Sequence, residues 1–112
     1  PSSRRAPPRM AEVRAVNLGD LAPAGTPPDR PFLQDATRPD APPITYGEAD
    51  RRHRAVARAL LAAGLRRGDR VAIMAQNRPE YLDAYFGTMR AGLVSVPVNF
   101  RLPEATIRYV LE

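Results

Sequence analysis

Two apolar runs flanking a helix-like stretch leave this chain little choice of fold. The first run is Val71-Ala72-Ile73-Met74-Ala75 and the second is Leu93-Val94-Ser95-Val96. Neither alternates polar and apolar residues as a strand with one wet face does. Between them, Leu82, Tyr85, Phe86 and Met89 recur at i, i+3, i+4 and i+7, the spacing of one helix face, and Gly92 stops the pattern. Strand, helix, strand is a βαβ unit, and two apolar strands predict a parallel sheet covered on both faces. The expected fold class is α/β.

The residues ahead of this unit have a different character. Ten of the 13 prolines lie within the first 43 residues, which excludes long regular elements there. Residues 1–28 are expected to be a flexible Pro/Arg-rich segment, with 1–16 an extension and Met10 as plausible a start as Pro1. Asn17 to Leu21 has the residues to cap one helical turn before Pro23. Phe32-Leu33-Gln34-Asp35 and Ile44-Thr45-Tyr46, separated by the turn residues Thr37-Arg38-Pro39-Asp40, predict a short hairpin. Thr45 and Glu48 have capping-box spacing, so a helix is expected from Tyr46, with Ala49, Val56, Ala57, Leu60 and Leu61 inward and a stop at Gly64-Leu65.

Arg66-Arg67-Gly68-Asp69 reads as a tight turn into the first apolar run. Asn77 and Glu80 repeat the cap spacing, with Pro79 in the first turn. Gly87 inside that helix costs about 1 kcal/mol relative to Ala, which suggests either a closely approaching backbone or a neutral filler. Pro97 ends the second strand, and a third helix opens at Pro103 with Ile107, Val110 and Leu111 on one face.

Composition excludes several chemistries. There is no Cys, hence no disulfide, thiolate nucleophile or Cys-ligated zinc, and a cytoplasmic location is expected. The net charge of +5 comes entirely from Arg, with no Lys in the chain. Arg51, Arg54 and Arg58 share a helix face without interleaved aromatics, which reads as a solvated face; no nucleic-acid partner is expected. No run approaches the ~20 apolar residues of a membrane span, and no apolar segment follows Ser2-Ser3-Arg4-Arg5 as a twin-arginine signal requires. His53, with no second His, is read as a packed or half-exposed structural residue. Glu48, Asp50, Glu80 and Asp83 are read as helix N-terminal charges. Phosphate-loop, dinucleotide and nucleophile-elbow patterns are absent. No catalytic residue and no metal ligand is assigned.

In parallel α/β sheets, ligands bind beyond the carboxyl ends of the strands. Here those ends are Gln76-Asn77-Arg78 and Val98-Asn99-Phe100-Arg101. Arg101 is the candidate for gripping a phosphate or carboxylate; the alternative is a surface Arg paired with Glu104.

Ile44-Thr45-Tyr46-Gly47-Glu48, Gly68-Asp69-Arg70-Val71-Ala72-Ile73, Asn77-Arg78-Pro79-Glu80, Arg90-Ala91-Gly92 and Val96-Pro97-Val98-Asn99-Phe100-Arg101-Leu102 follow in an order that resembles the N-terminal part of the adenylate-forming enzymes. The likeness covers residues 29–112 and is nearer the fatty-acyl and aryl-CoA ligases than the peptide synthetases. It implies an incomplete N-terminal subdomain with parallel βαβ units and a short N-terminal hairpin. The parent enzyme it implies adenylates a carboxylic acid with ATP and Mg2+ and passes the acyl group to coenzyme A. The family's phosphate loop and catalytic Lys have no counterpart here, so the segment alone is expected to be inactive, with the remainder of the enzyme chain as its partner. The resemblance also implies a cofactor-binding role for Arg101, near the phosphates of coenzyme A. The alternative is a truncated, non-catalytic α/β module that acts by protein association, homo-oligomers included, through an unpaired sheet edge.

Overall fold

The computed structural model describes residues 17–112. In chain order the elements are β1 (Pro31–Leu33), β2 (Ile44–Thr45), α1 (Tyr46–Ala62), β3 (Arg70–Ile73), α2 (Pro79–Arg90), β4 (Val94–Pro97) and α3 (Glu104–Leu111). β1 and β2 form the expected antiparallel hairpin, with Leu33 opposite Ile44. β3 and β4 pair in parallel from Arg70 opposite Val94 to Ile73 opposite Pro97, with α2 as the crossover. The expected α/β class and its βαβ unit are therefore present. Among the described residues, no helix is long and apolar enough to cross a membrane.

Local chemistry explains most element boundaries. Thr45 Oγ1 accepts the Glu48 N–H at 3.2 Å and caps α1. The reciprocal half of the expected box does not form; the Glu48 carboxylate turns to Arg52, 3.8 Å away. α1 and α2 end alike. Gly64 at φ 97° and Gly92 at φ 79° adopt the left-handed conformation. The N–H of each glycine bonds the carbonyl three residues back, at Leu61 and Met89, and the next residue bonds the carbonyl at Leu60 or Thr88.

The start of α2 departs from expectation. Arg78, not Asn77, holds the cap position, at φ −139° and ψ 162°, and makes no side-chain cap. A residue preceding proline is forced out of the helical region, so Pro79 fixes the boundary whatever Asn77 offers. The single helical turn expected at Asn17 is also absent. Asn17 Oδ1 instead accepts the Gly19 N–H at 2.8 Å, closing a turn, while Asn17 Nδ2 donates to the Arg90 carbonyl at 3.1 Å. That turn therefore docks on the end of α2. The readings made for residues 1–16 lie outside the described residues.

Packing is organised around α2, which meets α1 on one side and the β3–β4 pair on the other. α1 buries Ala49, His53 and Ala57, one residue per turn, and α2 buries Gly87 and Thr88. Ala49, Ala57 and Gly87 let the helices close in; a Cβ placed on Gly87 would lie 2.5 Å from Val56 Cβ and 3.0 Å from the His53 carbonyl oxygen. Of the two readings of Gly87, close approach is the one realised. His53 takes a central place on the inward stripe, whereas Leu61, expected inward, is 49% exposed. Thr88 Oγ1 donates to the Ala84 carbonyl at 2.6 Å, and Ser95 Oγ donates to the Tyr85 carbonyl at 2.8 Å, tying β4 to α2. Ile73, Leu93 and Val98 are buried, but Met74 and Val94 are about half exposed. The described residues thus do not bury both faces of the pair as its apolar runs predict.

Candidate functional site

The two loops expected at the strand ends do meet. Val98 is buried and its N–H bonds the Ile73 carbonyl at 2.8 Å, so the chain leaves β4 directly beside the end of β3. Beyond lies an open cleft of about 850 Å³, lined by Gln76 and Asn77 from one loop, Asn99, Phe100 and Arg101 from the other, and Tyr81 from α2. Amides, a phenol and a guanidinium line it, and no carboxylate does. Such a lining suits an anionic, hydrogen-bonding ligand. Arg78 is absent from the lining of this cleft and lines the smaller pocket beside the start of α2. Tyr81 was missed in the sequence because it falls outside the apolar spacing Leu82, Tyr85, Phe86 and Met89 and belongs to no motif.

Arg101 is exposed and its guanidinium carbon lies 5.6 Å from the centroid of the Phe100 ring. The pairing with Glu104 does not form, because Glu104 Oε1 is engaged by Arg108 Nη2 at 2.6 Å. The helical i,i+4 partner wins over the loop residue, as one turn of α3 brings the two side chains together. Among the described residues Arg101 makes no ion pair, so its charge remains available to a ligand.

A second, smaller pocket of about 360 Å³ lies between the hairpin loop and the start of α2 and is mainly apolar. Its one carboxylate, Asp35, accepts the Thr37 hydroxyl at 2.6 Å and the Thr37 N–H at 2.9 Å. These bonds hold the Asp35 carboxyl below its ordinary pKa. Asp35 is thereby satisfied and shapes the loop.

His53 has only 3% exposure, and its Nε2 has no hydrogen-bond partner, lying 3.5 Å from Asp83 Oδ1. Burial pushes its pKa below the ordinary value, with the Asp83 charge opposing and Arg90 reinforcing. The unfolded chain therefore takes up a proton near pH 6.5 that the folded chain refuses. Stability is expected to be fully present above about pH 6.5 and to fall as pH drops toward the depressed folded value. His53→Gln should flatten that decline; thermal melts between pH 7.5 and 5.5 with unchanged slopes would contradict it. Of the packed and half-exposed readings of His53, the fold realises the packed one, and its carboxylate neighbour comes from a helix remote in sequence.

Residues 21–112 match the family described as AMP-binding enzyme. The chain belongs to this family. It falls in the adenylate-forming superfamily, in the acyl-CoA synthetase branch, as part of the N-terminal domain. It is 48% identical over 76 residues to a feruloyl-CoA synthase of an Amycolatopsis species, which covers 68% of this chain and 16% of that protein. It is 38% identical over 81 residues to an L-proline:L-prolyl-carrier-protein ligase of Streptomyces coelicolor, covering 70% and 15%. The crystal structure of apo MatB from Rhodopseudomonas palustris superposes with a TM-score of 0.69 at 33% identity, over 75% of this chain and 16% of that one. The chain therefore spans about one sixth of the length of these relatives. The two named relatives are a synthase and a ligase, and these likenesses give no support to a non-catalytic association module.

Proposed function

We propose that this segment is the N-terminal part of an ATP-dependent acyl-CoA synthetase that adenylates a carboxylic acid and transfers the acyl group to coenzyme A, in the cytoplasm. The observation that carries the reading is the family match over residues 21–112, with acid-thiol ligases among the relatives. A carboxylate is a poor electrophile until one oxygen becomes a good leaving group; ATP, with Mg2+, supplies that activation. This chain has no Lys and no phosphate loop, so its own residues contribute scaffold and one binding group. Arg101 would hold a coenzyme A phosphate. Its fit rests on an unpaired guanidinium at a cleft with no carboxylate in its lining. The aromatic-acid relative makes an aryl carboxylic acid the first substrate class to assay.

The test uses an enzyme that contains this segment, supplied with ATP, Mg2+ and aromatic or aliphatic acids. Acid-dependent exchange of pyrophosphate into ATP, then thioester formation on adding coenzyme A, is expected; exchange catalysed by residues 1–112 alone would overturn the division of labour. Arg101→Ala should raise the KM for coenzyme A about tenfold or more, the worth of a charge-assisted hydrogen bond, and leave pyrophosphate exchange unchanged. Impaired exchange with an unaltered coenzyme A KM would remove Arg101 from the thiol half-reaction.

A further inference from the structure

The Arg101 guanidinium sits on a loop that turns sharply between two prolines, and one neighbouring side chain closes that turn. Asn99 Oδ1 accepts the Arg101 N–H at 2.9 Å, and the Leu102 N–H bonds the Asn99 carbonyl at 3.2 Å. An Asn side chain that bonds the backbone two residues on fixes a turn without help from a regular element. The chain enters this turn from Val98, which is buried and tied to Ile73, and leaves it at Pro103, the cap position of α3. Both ends are held, so the bond between Asn99 and Arg101 decides where Arg101 leaves the backbone. From there the guanidinium reaches the Phe100 ring, whose face attracts a cation.

We infer that Asn99 is a positioning residue: its side chain acts through the backbone of Arg101 to aim the guanidinium at the cleft. The inference rests on the reading of Arg101 as the residue that grips a coenzyme A phosphate. A long Arg on an unheld loop loses rotamer and backbone freedom on gripping an anion, and a loop already turned lowers that cost. Asn99 Oδ1 is committed to the turn, and the double variant with Arg101→Ala separates its action through Arg101 from a direct contact of its Nδ2 with the ligand.

The test measures coenzyme A binding to the full-length enzyme by calorimetry, beside coenzyme A KM and acid-dependent pyrophosphate exchange. Asn99→Ala should weaken coenzyme A binding about three- to tenfold, as loss of one neutral hydrogen bond allows, with a smaller effect on pyrophosphate exchange. Asn99→Ser, whose hydroxyl closes the same kind of turn, should recover most of the affinity. In an Arg101→Ala background the Asn99→Ala change should have no further effect, because both act on one group. If Asn99→Ala weakens binding equally in that background, Asn99 touches the ligand itself and the inference fails. If Arg101→Ala weakens binding and Asn99→Ala does not, the turn is dispensable and only the inference fails. If Arg101→Ala leaves coenzyme A affinity intact, the reading of Arg101 fails and the role of Asn99 with it.

Discussion

Gly87→Val should destabilise the protein by about 3 kcal/mol, at the upper end of what an overpacked core costs. Helix propensity alone points the other way. Removing glycine from a helix interior gains up to about 1 kcal/mol with Ala and less with a β-branched residue. The packing term decides the sign. The nearest atoms to a Cβ at position 87 are Val56 Cβ at 2.5 Å and Val56 Cγ1 at 2.6 Å, followed by the His53 carbonyl oxygen at 3.0 Å. Two of these belong to the stem of a β-branched side chain, and the third is backbone, so none can swing aside as a long side chain can. The helices must separate, and with them the buried row of Ala49, His53 and Ala57. Gly87→Ala should show the same sign at about 1–2 kcal/mol. Denaturant unfolding of the enzyme carrying this segment measures both; a stabilising Gly87→Ala would mean that α1 and α2 are not in backbone contact.

That contact shows what can and cannot be read from the residues in order. The βαβ unit, the hairpin and the glycine stops at Gly64 and Gly92 were legible, because periodicity and backbone conformation are written within a few residues of where they act. The start of α2 was misplaced by one residue because Asn77 advertises a cap that Pro79 overrules through Arg78. The β3–β4 pair exposes Met74 and Val94, which an apolar run does not foretell, since burial depends on what lies across from the strand. The meeting of the two loops beyond the strand ends, with Arg101 on one of them, was legible from strand direction. The freedom of Arg101 was not, because it depends on Glu104 choosing Arg108 one helical turn away. Tyr81 in the cleft and the link from Asn99 to the Arg101 backbone likewise needed the three-dimensional path of the chain.

Asp83 illustrates the same limit and carries the second large effect. In sequence it is one more acidic residue in an early turn of α2; in the fold it is one of two polar ties between α2 and α1, beside Arg90 Nη1 with Asp50 Oδ1 at 2.6 Å. Asp83 Oδ2 accepts from Arg52 Nε at 2.9 Å and Nη2 at 2.5 Å, and its Oδ1 faces buried His53 Nε2 at 3.5 Å. An exposed pair contributes about 0–1 kcal/mol, while truncating one partner of a buried pair costs about 3–5 kcal/mol. The Asp83 and Arg52 side chains are 15% and 30% exposed, which places this pair between those limits. Asp83→Ala is therefore expected to cost about 2 kcal/mol, because Arg52 loses its nearer carboxylate and keeps Glu48 at 3.8 Å and partial access to water. The loss should shrink in an Arg52→Ala background, where no cation is left stranded. His53 adds a pH signature that a merely steric role would lack. The Asp83 charge raises the His53 pKa against the effect of burial, so its removal drives that folded value lower still and leaves the unfolded value unchanged. The acid loss of stability should then continue to lower pH in Asp83→Ala than in the parent. Unfolding curves recorded at pH 7.5 and at successively lower pH measure both effects, and a change at pH 7.5 below about 0.5 kcal/mol would show that the Arg52–Asp83 tie adds nothing to the apolar contact and the Arg90–Asp50 pair.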